Sequence, residues 1–267
     1  MKALVYHGPG KRALEDKSKP VINAPTDAIV KIRKTTICGT DLHILKGDVP
    51  TVTDGRIFRH EGVGIIEQAG GSVSSFRVGD RVLISCITSC GKCTNCKKGM
   101  YSHCENGGGW ILGNLIDGTQ AEYVRVPFAD TSLYPIPAGA DEEALVMLSD
   151  ILPTGFERGV LNGQVKPGDT VAIVGGGPIG LAALLTAQFY SPAEIIMVDV
   201  DDNRLEVSRK FGATKLVNNS DGKAVEKVMA LTEPHRNQPD GKIKGGSKKR
   251  FTVPFLGSAV LLECNFL

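Results

Sequence analysis

Cys90, Cys93, Cys96 and Cys104 fall in one short stretch, SCGKCTNCKKGMYSHC, with the spacing C-x2-C-x2-C-x7-C. Four thiolates this close along a chain can converge on one tetrahedral ion with little help from the rest of the fold. Zinc is the usual occupant of a closed four-thiolate site. Such a site keeps no open coordination position, so it is structural. Any catalysis must lie elsewhere. Two rival readings fit less well. The bacterial iron–sulfur run ends C-x3-C-P, whereas here the last gap is longer and Glu105 follows Cys104. Disulfides belong to exported chains. The N-terminal MKALVYHGPGKRALEDK has no apolar h-region or cleavage site, and the cysteine total of seven is odd.

A second group is scattered. It comprises Cys38-Gly-Thr-Asp-Leu-His43, Arg59-His-Glu-Gly62 and Ser149-Asp150. Cys38, His60 and Asp150 would give one thiolate, one imidazole and one carboxylate, with a fourth position free, as in a catalytic zinc site. Without other context, the better reading of His60 and Asp150 is as unrelated polar residues. The third group is Val174-Gly-Gly-Gly-Pro-Ile-Gly180. Gly175, Gly177 and Gly180 fit G-x-G-x-x-G, with Pro178 and Ile179 opening the helix that follows. The glycines allow a tight turn and close approach of a pyrophosphate to the helix N-terminus. Asp199 lies about 20 residues on, where a carboxylate accepts hydrogen bonds from a ribose 2′-hydroxyl. That carboxylate repels a 2′-phosphate, so NAD is favoured over NADP. Arg204 lies close enough in sequence to accommodate a phosphate, which moderates the preference.

These residues need two kinds of scaffold. The first half reads as β structure, with strands over Met1–Tyr6, Ala28–Thr35, Gly62–Ala69, Arg81–Ser85 and Ala121–Val126. The cysteine lobe interrupts it as a loop. From Lys166 the pattern changes to strand Thr170–Val174, helix Pro178–Phe189, strand Ile195–Val198, helix Asp202–Phe211, strand Leu216–Asn218 and helix Lys223–Leu231. Alternating strands and helices predict a parallel, doubly wound sheet. After about Thr232 the period is lost. EPHRNQPDGKIKGGSKKR is polar and glycine-rich, and its basic run Lys242–Arg250 reads as a solvated, disordered segment rather than a nucleic-acid signal. The net charge of +2 gives no reason to expect nucleic acid or an anionic membrane, and no apolar run reaches the roughly 20 residues of a spanning helix. The expected location is cytoplasmic.

Taken together, Cys38-Gly-Thr-Asp-Leu-His43, His60-Glu-Gly62, the cysteine lobe and GGGPIG resemble the zinc-dependent alcohol dehydrogenases of the medium-chain dehydrogenase/reductase superfamily. Leu148-Ser-Asp-Ile-Leu-Pro-Thr-Gly-Phe156 resembles the branch whose third catalytic ligand is Asp. The resemblance covers about residues 1–232. It implies α/β plus β architecture: a GroES-like catalytic zinc domain over 1–152, then a partial Rossmann NAD-binding domain over 153–232. Residues 233–267 remain as an aberrant, disordered tail.

The resemblance also implies two zinc ions. Cys38, His60 and Asp150 would hold the catalytic ion, with Glu61 as an occasional or outer ligand, and the four cysteines of the lobe the structural one. Thr40 would contact the substrate oxygen, His43 would end a proton relay, and Thr154 would lie near the nicotinamide. The implied reaction is hydride transfer between NAD and a small alcohol or carbonyl substrate, in a family whose full-length members are homo-oligomers. A polyol, threonine or formaldehyde dehydrogenase is an alternative reading, since the sequence does not separate those substrates. Arg59 stands where the family commonly has Gly. Cys86 and Cys264 read as buried small hydrophobes, and His103 is not needed beside four thiolates. A sheet with only three strands lacks its second half. A frameshifted or aberrantly terminated reading frame is therefore expected, and a non-catalytic zinc-binding remnant is the competing function.

Overall fold

The structure is a computed structural model that describes residues 1–232 throughout and the backbone of residues 250–255 and 258–263. The chain divides into two compact units, Met1–Asp150 and Ile151–Leu267.

The first unit is built from β1 (Lys2–Tyr6), β2 (Arg12–Asp16), β3 (Ala28–Thr35), β4 (Gly62–Ala69), β5 (Arg81–Ile84), β6 (Tyr123–Val126) and β7 (Leu133–Pro135). β1 and β2 pair antiparallel, and the other five form an antiparallel sheet in the order β6-β3-β4-β5-β7. Inward-facing Ala28, Val30, Ile66, Val82, Ile84, Val124 and Val126 pack with Phe76, Leu112 and Leu133 into one core. Alternation along β3 and β6 puts every second apolar side chain on that face. β4 is buried at its N-terminal end, Gly62–Gly64, which is continuous with the buried His60-Glu61. The helix Gly39–Lys46 follows Cys38 directly. The sequence reading missed β2, β7 and this helix. β2 alternates exposed and half-buried positions, with only Ala13 and Leu14 apolar and Leu14 exposed, and the helix has only Ile44 as a fully buried apolar anchor. Neither gives a strong periodic signal.

The second unit holds β8 (Thr170–Val174), β9 (Glu194–Asp199), β10 (Lys215–Asn218), β11 (Arg250–Phe255) and β12 (Ser258–Glu263), ordered β10-β9-β8-β11-β12. β8, β9 and β10 are parallel, as predicted. Their alternate residues feed opposite faces. Val171, Ile173, Ile195 and Met197 pack with Ala183, Leu184 and Ala187 of the helix Pro178–Ala187 and Leu205 of the helix Asp202–Lys210. Ala172, Ile196, Val198 and Val217 pack with Val228 of the helix Ala224–Thr232. Both faces are therefore covered, which is why these strands read as continuous apolar runs.

The division falls after Asp150, two residues before the predicted boundary at 152. The segment after the division packs on the helix Pro178–Ala187: a Cβ on Gly155 would lie 2.6 Å from Ala182 Cβ and 2.7 Å from Ala183 N. The tail differs more. Where the sequence predicts a disordered segment, Arg250–Phe255 is a strand parallel to β8, and Ser258–Glu263 pairs with it antiparallel. RFTVPF and SAVLLE are rich in β-branched, aromatic and aliphatic residues, and β8 offers an unpaired edge. The sheet thus has five strands where three were expected. Residues 233–249, 256–257 and 264–267 lie outside the described residues. They include Cys264 and nearly all of the basic run Lys242–Arg250.

Candidate metal and cofactor sites

The cysteine lobe is shaped by its own backbone. Cys93 precedes the short helix Thr94–Lys97 and its sulfur accepts the Cys96 N–H at 3.4 Å. Cys90 Sγ accepts the N–H groups of Lys92 and Cys93, each at 3.4 Å, and Asn106 Nδ2 at 3.3 Å. The Cys90 N–H points to Cys104 Sγ at 3.4 Å. All four sulfurs lie within 4.8 Å of one another, and Cys90 and Cys96 are 3.9 Å apart. A tetrahedron with Zn–S bonds of about 2.3 Å has edges of roughly 3.8 Å, so the donor set fits zinc. A disulfide needs sulfurs about 2 Å apart, and all six described cysteines are free. Burial works against the Cys90 thiolate, but the N–H donors of Lys92 and Cys93 bring its pKa down to about 6. The Glu105 and Cys96 amides lower that of Cys93. Burial and then the neighbouring Cys93 sulfur push Cys96 up to about 12. Four like charges cannot crowd together without a cation to balance them. His103 bonds the Ser102 hydroxyl at 3.0 Å and is not among the ligand atoms.

The second cluster gathers Cys38, His60, Glu61 and Asp150, whose ligand atoms also lie within 4.8 Å of one another. Cys38 is the N-cap of the helix Gly39–Lys46, and its N–H bonds Asp41 Oδ2 at 2.9 Å. His60 is buried, with Nε2 2.9 Å from Asp150 Oδ2. The Trp110 indole N–H donates to His60 Nδ1 at 3.2 Å, and the rings meet edge to face. Burial opposes the Cys38 thiolate, yet His60, the Thr40 amide and Arg59 bring its pKa down to about 6. Burial opposes the charged form of His60 as well, and Asp150 and Cys38 outweigh it and raise its pKa. A soft thiolate, an imidazole and carboxylates are the donor types zinc takes in catalytic sites. Glu61 Oε1 is buried with no hydrogen-bond partner among the described residues, while Oε2 is taken by the Arg59 guanidinium. The residues fit the metal.

Thr40 Oγ1 lies 3.7 Å from Cys38 Sγ, on the first turn of the helix. His43, one turn further on, bonds Asp48 Oδ2 through Nδ1 at 2.8 Å. Arg59, singled out beside His60, is completely buried and has φ +84°. A side chain in such a conformation costs about 1–3 kcal/mol. Cys86 has an unexpected neighbour: burial, and then the nearby Asp150 carboxylate, push its thiol well up. Sequence reading missed Trp110, Asp41 and Thr36. Asp41 had a signal, because it stands three residues after the Cys38 cap, where a side chain reaches back to the N-cap amide. Trp110 had none.

In the second unit β8 ends at Val174 and Gly175 turns with φ +100°. A Cβ on Gly180 would lie 1.7 Å from Gly175 O, so only glycine permits this helix–turn contact. A Cβ on Gly177 would meet nothing within 4 Å, which leaves open space over the turn for a phosphate. Pro178 is the first helical residue, and no side chain caps the amides there. Asp199 ends β9, and its carboxylate accepts the N–H groups of Gly176 at 2.6 Å, Val200 at 2.8 Å and Asp201 at 2.9 Å. Arg204 Nη1 stands 3.9 Å from it. Thr154 ends the short helix Ile151–Thr154.

Comparison with known proteins places the molecule. Residues 24–138 match the alcohol dehydrogenase GroES-like domain. The chain is 44% identical over 247 residues to an alcohol dehydrogenase of Cupriavidus necator, covering 87% of this chain and 67% of that protein. Among solved structures, zinc dependent alcohol dehydrogenase 2 from Streptococcus pneumonia in its apo form superposes with a TM-score of 0.83. It is 61% identical, over 87% of this chain and 66% of that one. A short chain alcohol dehydrogenase from E. coli CFT073, complexed with cofactor NADH, gives a TM-score of 0.76 at 31% identity, over 86% of this chain and 66% of that one. The chain belongs to the zinc-type alcohol dehydrogenases, a family of oxidoreductases with a GroES-like domain and a Rossmann-like parallel sheet. It spans about two thirds of the length of these relatives. No described helix is long and apolar enough to cross a membrane.

Proposed function

We propose that the chain carries a zinc- and nicotinamide-dependent site that interconverts a small alcohol and its aldehyde or ketone. The convergence of Cys38, His60 and Asp150 carries this reading: three donors of the right types, with a lowered thiol among them. Zinc would supply Lewis-acid polarisation of the substrate oxygen, and NAD the hydride acceptor. The chain's own residues do the rest. Trp110 steadies the His60 ring through Nδ1, which leaves Nε2, beside Asp150 Oδ2, as the nitrogen that would take the metal. Thr40, whose Oγ1 lies 3.7 Å from Cys38 Sγ, would exchange a proton with the substrate hydroxyl. His43, oriented by Asp48, passes the proton outward. The lobe sulfurs would hold a second zinc that supports structure only.

On the cofactor side, Gly175, Gly177, Pro178, Ile179 and Gly180 would cradle the pyrophosphate. Asp199 favours NAD, since its carboxylate would meet a 2′-phosphate with like charge. The E. coli relative solved with NADH supports the nicotinamide reading. Thr154 would face the nicotinamide ring. Near-balanced charge fits a small-molecule substrate rather than nucleic acid, and a cytoplasmic location and a homo-oligomeric state go with this reading.

The test is to purify the whole chain, count zinc by emission spectrometry, titrate NADH by fluorescence and assay short alcohols. Two zincs, saturable NADH binding and turnover are expected. Two zincs with no NADH binding would assign the chain as a non-catalytic zinc-binding remnant. Less than one zinc per chain would sink the reading altogether.

A further inference from the structure

We propose that Arg59 is a positioning residue that keeps the Glu61 carboxylate an ion-paired neighbour of the metal, so that the cation retains three protein ligands and one open position. This rests on the reading that Cys38, His60 and Asp150 hold that metal.

Arg59 is a fully buried cation two residues from Glu61. Its Nη2 pairs with Glu61 Oε2 and donates to the Thr36 hydroxyl, which in turn bonds Glu61 Oε2. Its Nη1 lies 3.4 Å from Asp41 Oδ2, the oxygen that accepts the Cys38 N–H. One guanidinium therefore ties the Cys38 segment, through Thr36 and Asp41, to His60-Glu61. The backbone beneath it is gripped. A Cβ on Gly113 would lie 2.6 Å from Arg59 N, and one on Gly118 1.9 Å from Arg59 O. The Thr119 N–H donates to that carbonyl at 3.0 Å. These contacts hold φ at +84°, a conformation glycine adopts without penalty. A backbone role alone would favour glycine, so what this position adds is the guanidinium.

Its effect follows from the carboxylate it holds. Glu61 belongs to the same 4.8 Å cluster of ligand atoms as Cys38, His60 and Asp150. Released from Arg59, an anionic carboxylate this close would be drawn onto the cation as a fourth protein ligand. That would close the position a substrate needs. The ion pair offsets the attraction and fixes one oxygen away from the metal.

The test uses the full chain loaded with Co(II), whose visible bands report coordination. The C38S chain supplies the spectrum of the four-cysteine site for subtraction. R59G, suited to φ of +84°, frees Glu61. Its difference spectrum is expected to shift, and a chelator to remove this cobalt about tenfold more slowly, the scale on which outer neighbours tune metal affinity. R59G/E61Q returns both to the parental values. E61Q alone keeps the parental spectrum, an arm that stands even if R59G does not fold. An unchanged spectrum and removal rate in folded R59G, or an altered spectrum in E61Q, overturns the proposal. A parent chain that takes no more cobalt than C38S overturns the underlying site reading, and the proposal with it.

Discussion

At the scale of single residues, a few side chains each carry a separable task. Asp199 serves the turn and the cofactor at once. Its carboxylate already accepts three backbone N–H groups, and a carboxylate offers about four acceptor sites, so capacity for a ribose hydroxyl remains. D199N keeps the shape but weakens the acceptor and removes the charge. It is expected to weaken NADH binding by about tenfold, one hydrogen bond to a charged group, and to narrow the NADH over NADPH preference. Paired fluorescence titrations check both. At the metal cluster, D150N removes an anionic donor, and the chain is expected to retain one zinc instead of two. Arg59 illustrates a conflict between levels. Glycine there would relieve the backbone, but it would leave Glu61 and Asp41 buried without their cation. Removing one partner of a buried pair costs about 3–5 kcal/mol, more than the strain relieved, so R59G is expected to lower the urea midpoint.

At the scale of elements, the lobe and the strands respond to different agents. The lobe is a loop closed by its sulfurs, so C96A is expected to release one zinc per chain and to expose residues 90–104 to proteolysis. β3 and β5 are joined otherwise. Glu142, its side chain 11% exposed, receives Arg33 Nε from β3 and Arg81 Nε from β5, both at 2.8 Å. The Arg33 guanidinium first, and then that of Arg81, hold its carboxyl below the usual carboxylate range. A lowered acid stabilises the fold at pH values above its unfolded pKa, and that contribution fades as pH falls through the lower folded value. The parent is therefore expected to exceed E142Q in stability by about 1 kcal/mol at pH 7. The gap should close as pH drops below about 4, the unperturbed range, as urea unfolding at several pH values would show. The turn after β8 depends on shape alone. G180A would place a methyl group against Gly175 O. A cost of about 1–3 kcal/mol and lost NADH binding are expected, without change in zinc content.

At the scale of the whole molecule, the two units carry their ligands separately. Both candidate metal-ligand clusters lie within Met1–Asp150, and the glycine turn and Asp199 within the other unit. Metal removal is therefore expected to lower the melting temperature of one unit and to leave NADH binding in the other within about twofold. Calorimetry with and without chelator, beside an NADH titration, checks this. Loss of NADH affinity on metal removal would show that the units depend on each other.

What the sequence by itself determined is whatever is local. The four cysteines span fifteen residues, so closing their loop carries little entropy and the spacing alone predicts the lobe. Gly175 to Gly180 and the strand–helix alternation around them are legible for the same reason: each signal is complete within one turn or one element. Tertiary structure decided the rest. His60 and Asp150 meet at 2.9 Å across 90 residues, and only the antiparallel sheet and its flanking loops bring them there. The partners of Arg59 lie 18 and 23 residues away at Asp41 and Thr36, so its sequence position gave the conflict with glycine but not its purpose. β11 and β12 carry no period that marks them as strands. The open edge of β8, a property of the assembled sheet, gives them their place.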